Sequence, residues 1–120
     1  MISDPLVAAA GRIFHVCPYD IRSKSRHQPY VDARQAVCYV LRVRWGARYA
    51  AIAKAVGYRE HSMAHHSVYA AAGRMQREPR YLAKVVALAG TPVPGGRALR
   101  SLLIHKSRRP WAPDELEHAT

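Results

Sequence analysis

The chain has 120 residues, 49% of them apolar, with 19 Lys and Arg against 8 Asp and Glu, a formal net charge of +11. That length suits one small domain, or a domain with a tail, and the apolar share excludes wholesale disorder. A charge so one-sided speaks of polyanionic partners rather than of fold.

Ser3 or Asp4, followed by Pro5, opens a helix over 3–14 in which Leu6, Ala9, Ala10, Ile13 and Phe14 recur at helical spacing. A short helix follows Pro18, and "KSRHQP" at 24–29 reads as a basic loop closed by Pro29. The clearest helix covers 30–45, with Val37, Val40, Leu41 and Arg44 close together and Arg34, Gln35 and Arg42 on more polar faces; Gly46 ends it. Tyr39, Val40 and Leu41 are assigned to the core.

"YAAIAKAV" at 49–56 predicts a compact helix, whose Ala50, Ala51, Ala53 and Ala55 would allow close crossing by a second helix. Gly57 breaks it, and another helix starts near His61 or Ser62 and runs to about Arg77. Pro79 restarts the chain into a last helix over 80–90. Residues 90–97, "GTPVPGGR", form a turn-rich linker, and the remainder carries an apolar patch, the basic "HKSRR" and an acidic end. The expected fold is all-α, a small bundle of five or six helices over 1–90, with 91–120 a linker and tail that is partly docked or flexible.

Charge is concentrated: residues 21–60 hold nine Lys or Arg against Asp32 and Glu60 alone, and no acid occurs between Glu60 and Glu78. A short helix, a glycine turn and a second helix with a polar first turn is the pattern of a helix-turn-helix. The second helix would offer Arg59, His61, Ser62, His65 and His66 as donors at an end whose dipole favours phosphate.

The stretch "RQAVCYVLRVRWGARYAAIAKAVGYREHSMAHHSVYAA", with "DIRSKSR" ahead of it, resembles the C-terminal DNA-binding domain of the bacterial replication initiator family DnaA. In that family an Arg-Gln pair opens a long helix, and the helix-turn-helix signature is near Gly-Gly-Arg-Asp-His-Thr-Thr-Val. The resemblance extends from about Ile2 to Leu88 and implies a Trp-repressor-like helical fold. It implies that Arg26 enters the minor groove and that Arg34, Gln35, Arg59 and His66 lie near phosphates; Lys24 and Arg42 join the phosphate set on charge, in a basic stripe beside the second helix. It further implies base reading by Glu60, His61 and Ser62; His65, four residues past His61 on the same helix face, is assigned to the reading set from its own position. The chain departs from the signature at Tyr58, Glu60, Ser62, Met63, Ala64 and His65; Met63 or Ala64 is then what a thymine methyl would meet.

The initiator's ATPase would need a phosphate loop, but "GTPVPGGR" has Gly96 and Arg97 where Lys and Ser or Thr are required. The expectation is a stand-alone, sequence-specific binder of double-stranded DNA, with DnaA-box-like sites as candidates, regulating replication initiation or transcription. Structured RNA is the alternative polyanion, and an adaptor binding replication or transcription proteins through the tail is the other rival.

Other chemistry has less to stand on. His61 and His65 are spaced to share a metal, yet two ligands on one helix do not close a site. Cys17 and Cys38 show no CxxC spacing and read as reduced, mostly buried thiols. No cofactor, metal or catalytic residue is therefore expected. No apolar run of roughly 18 residues occurs, and neither a leader nor a membrane span is expected; the expectation is a cytoplasmic, nucleoid-associated protein.

Overall fold

Three prolines at or next to helix starts, and two glycines with positive φ, punctuate a chain otherwise rich in helix formers. A computed structural model describes residues 3–90. Six helices follow in order: α1 Ser3–Phe14, α2 Pro18–Ile21, α3 Gln28–Val43, α4 Tyr49–Val56, α5 His61–Arg77 and α6 Pro79–Ala89. No strand occurs among the described residues. The linker and tail expected over 91–120 lie outside them.

The expected boundaries shift in two places. Pro29 does not close the basic loop but sits in the first turn of α3, which begins at Gln28. Proline has no N–H to lose there and its φ already suits a helix. Gly46, with φ 66°, stands three residues past the end of α3. The intervening backbone stays coiled, with Gly46 N–H donating to the Arg42 carbonyl at 3.1 Å and Ala47 N–H to that of Leu41 at 2.9 Å.

α3 is the axle of the bundle and packs against all five other helices. Ala33, Ala36, Val37, Cys38, Tyr39, Val40, Leu41 and Val43 on it are buried, so Tyr39, Val40 and Leu41 are core as expected. Leu6, Ala10 and Phe14 of α1, Ile52 and Val56 of α4, Val68 and Met75 of α5, and Tyr81, Val85 and Leu88 of α6 close around it. Only part of the small-residue face of α4 is used: Ala53 is buried and Ala55 half-buried, while Ala50 and Ala51 face solvent.

At the side of the bundle where α3, α5 and α6 meet, one residue, Asp32, links the elements. Arg74 Nη1 pairs with Asp32 Oδ1 at 2.5 Å, Gln28 donates to the same oxygen at 2.6 Å, and Tyr81 Oη donates to the Asp32 carbonyl at 3.0 Å. The guanidinium also bonds Glu78 and lies 4.0 Å from the Tyr81 ring centre. Burial, only partly offset by that guanidinium, pushes the Tyr81 phenol well above its ordinary range.

Candidate nucleic-acid interface

The turn between α4 and α5 is made by hydrogen bonds that run backwards. Tyr58 N–H donates to the Ala53 carbonyl at 2.8 Å and Gly57 N–H to that of Lys54 at 3.4 Å, with Gly57 left-handed at φ 81°. This is the usual way a helix satisfies its last carbonyls, and glycine enters that conformation without steric cost. A second reason for glycine comes from elsewhere in the chain: a Cβ at position 57 would strike the carbonyl oxygen of Arg22. The basic loop and the helix-turn-helix turn therefore pack backbone against backbone. Arg22 reinforces the join, donating from Nε to the Ala55 carbonyl at 3.1 Å and from Nη2 to Asp4 at 2.5 Å.

The loop after α2 is ordered by alternation. Ser23 Oγ donates to the Asp20 carbonyl at 2.7 Å and accepts from Ser25 N–H at 3.2 Å, and Ser25 Oγ accepts from His27 N–H at 3.2 Å. Ser23 and Ser25 are half-buried, while Lys24 and Arg26, one position out of phase, are exposed. A basic loop with every second residue tied down presents its cations in a defined place.

Arg34 corrects the sequence reading. Expected on a polar face near phosphate, it is only 4% exposed. Its guanidinium donates to the carbonyls of Ile21 at 2.6 Å, Ser25 at 3.0 Å and Asp20 at 3.1 Å. The C-terminal end of α2 and the following loop hold carbonyls without helical partners, and a planar three-way donor satisfies them. Arg34 thus anchors the loop that carries Lys24 and Arg26. Its neighbour Gln35 is half-buried, and the Gln35 Oε1 atom is buried without a hydrogen-bond partner.

α5 then separates its residues cleanly. Arg59, Glu60, His61, Ser62, Met63, His65 and His66 are exposed, whereas Ala64, Ser67 and Val68 are buried. Ala64 is therefore not available to a thymine methyl, and Met63, 44% exposed, is. Glu60 occupies the N-cap position without capping the helix through its side chain; its Oε2 accepts from Ser62 Oγ at 3.4 Å.

Tyr58 stands where the family signature has a second glycine, and the turn accommodates it without a positive φ. Its hydroxyl lies 2.6 Å from Ser67 Oγ, fastening the turn to the buried side of α5. Cys38 faces the same spot. Burial pushes its thiol up to about 12, against the smaller opposing pulls of Arg34 and a hydrogen bond with Ser67. Cys17, by contrast, is exposed, which corrects the expectation that both thiols are largely buried.

Arg42 lies half-buried at the end of α3, donating from Nη1 to the Ala47 carbonyl at 3.1 Å with its guanidinium carbon 4.4 Å from the Tyr49 ring centre. Tyr49 in turn meets the His65 ring at 4.8 Å and 66°, and His65 meets Tyr69 at 4.7 Å and 39°. Sequence reasoning singled out Arg42 and His65 but missed the two tyrosines. The signal was available in part, since His65 and Tyr69 are four apart and face one another on a helix. Tyr49 comes from another helix, so only the fold brings it in. Arg48, exposed at the N-cap of α4, was also passed over.

Among the described residues no group of three His, Cys, Asp or Glu is placed to hold a metal. No described helix is long and apolar enough to cross a membrane.

A glycine turn locked against a basic loop, followed by a helix whose first turns are exposed and rich in donors, defines a helix-turn-helix DNA-binding domain. Comparison with protein families gives the same answer independently: the model for the bacterial dnaA protein helix-turn-helix matches residues 6–70. The chain belongs to that family and is a DNA-binding domain of the DnaA C-terminal type. Neither the curated proteins nor the solved structures yield a match.

Proposed function

We propose that this chain binds double-stranded DNA at preferred sequences, with the N-terminal turns of α5 in the major groove and the Lys24–Arg26 loop reaching the adjacent minor groove through Arg26. The observation that carries this reading is the packing of the Arg22 carbonyl against Gly57, which ties the cationic loop to the turn that launches α5. Two elements that read opposite grooves must keep a set separation, and a shared backbone contact keeps it.

Within this reading Glu60, His61, Ser62 and His65 meet base edges, while Lys24, Arg42, Arg59 and His66 meet phosphate. Gln35 lies beside Arg34 on α3 and stays in the phosphate group. Arg34 supports the loop instead of touching DNA. DnaA-box-like duplexes are the first candidates, and the role is that of a regulator of replication initiation or transcription acting without a motor. A contact between the residues past 90 and a replication or transcription protein remains part of the proposal.

Gel-shift titration of an initiator-box duplex against a scrambled duplex of equal length tests it. The expected result is tighter binding to a particular sequence, and His61→Ala should cost about 1–3 kcal/mol on that sequence and little on others. Equal, fully salt-sensitive binding to all duplexes rejects sequence reading. Tighter binding to a stem-loop RNA than to any duplex rejects DNA as the ligand.

A further inference from the structure

The exposed surface of α5 does not end with its first turn. Tyr69, 48% exposed, lies one turn beyond His65, and Tyr49, which opens α4, meets the same imidazole. The His65 ring meets Tyr49 at 4.8 Å in an edge-on arrangement and Tyr69 at 4.7 Å in a tilted one. Tyr49 is itself backed by the Arg42 guanidinium at 4.4 Å. Burial raises the Tyr49 phenol above its ordinary range, opposed by Arg42 and aided by Tyr69, so the three side chains share one crowded neighbourhood. His65 nevertheless remains exposed.

An imidazole on a bare helix surface has two rotatable bonds and can turn from a base edge to a phosphate. The two choices differ in kind: phosphate contact is blind to sequence, base contact is not. Contacts with two rings restrict that freedom before DNA arrives, and a side chain ordered in advance loses less on binding. We infer that Tyr49 and Tyr69 are specificity-determining residues that hold the His65 imidazole as a rigid donor towards one purine in the major groove. Purines present the N7 acceptor there, and pyrimidines present none at that place. The inference rests on the proposed placement of α5 in the major groove. It goes beyond that reading by naming how His65 is held and what it reads, and by adding residues that act through another side chain rather than on the base.

The test starts from a duplex selected by the wild-type chain out of a random pool. Each purine of that duplex is replaced in turn by its 7-deaza analogue, which exchanges the N7 acceptor for a C–H. Wild-type binding is expected to fall about tenfold at one purine assigned to His65, within the range that a well-aligned side chain contributes to discrimination. His65→Ala and Tyr69→Ala should each become indifferent to that replacement, with affinity for scrambled duplex unchanged. Tyr69→Phe, which keeps the ring, should retain the wild-type response. Thermal unfolding of Tyr69→Ala serves as the folding control, since the side chain is half-exposed. Tyr69→Ala that weakens all duplexes alike, with the 7-deaza response intact, overturns the inference and makes Tyr69 a phosphate contact. A wild-type chain indifferent to all sequences overturns the proposed function itself, and the role of the stack with it.

Discussion

Arg34 shows how far a side chain's task can lie from its apparent one. A guanidinium in the middle of an amphipathic pattern reads as surface charge, yet this one is buried with three carbonyl acceptors between 2.6 and 3.1 Å. Arg34→Ala strips the Ile21 and Ser25 carbonyls of this donor, while Asp20 keeps Ser23, and should lower stability by about 3 kcal/mol, measured by urea unfolding. Arg34→Lys, with a single rounded donor head, should recover only part of it. Cys38 offers a second check on burial. Its thiol is raised from the ordinary 9.0 to about 12, chiefly by burial. The folded chain therefore keeps a proton that the unfolded chain releases. This contribution to stability is complete below the unfolded pKa and is lost as pH climbs through the interval up to the folded one. Native protein treated with iodoacetamide should be alkylated at Cys17 alone, and at both thiols after denaturation, as mass spectrometry would count.

At the scale of elements, the decisive relation is between a turn and a loop far apart in sequence. Gly57 is required twice over, by its left-handed φ of 81° and by the Arg22 carbonyl in the space a Cβ would need. Since the obstacle is backbone, it does not swing aside as a side-chain end would. Gly57→Ala should cost about 1–3 kcal/mol in urea unfolding, and should also loosen the hold on the Arg26 loop. Loss of stability without any change in DNA affinity would separate the turn from the interface. Tyr58 shows that the same turn tolerates a large residue one position later. Its side chain lies along the bundle, with its hydroxyl against Ser67 Oγ at 2.6 Å.

For the whole molecule, charge and fold divide the labour. The core is apolar and wraps α3, and the Asp32–Arg74–Glu78 pairs join α3, α5 and α6. The exposed Lys24, Arg26, Arg48 and Arg59 belong to the basic loop, the start of α4 and the approach to α5, the parts that face the duplex in the proposed reading. One phosphate neutralised by each of Lys24, Arg42 and Arg59, the cations of the proposed phosphate set, predicts a log–log salt slope of about −3 for duplex binding. Titrations across a series of salt concentrations would measure it, and a slope near zero would remove electrostatics from the account.

Local signals were enough for the sequence to determine the helices, their order and the family. Proline and glycine act on their own backbone, and apolar spacing of three and four marks a buried face wherever it occurs. The same locality made α5's first turn legible, because a polar, acid-free helix start after a glycine turn is a short-range pattern. Tertiary structure alone decided which cations face solvent and which are consumed inside. Arg34 and Arg26 look alike as letters, and they part only because the carbonyls of Asp20, Ile21 and Ser25 converge on one of them. It likewise brought Tyr49 to His65 and the Arg22 carbonyl to Gly57. Such meetings depend on how helices cross, and that is set by the packing of the whole core rather than by any segment within it.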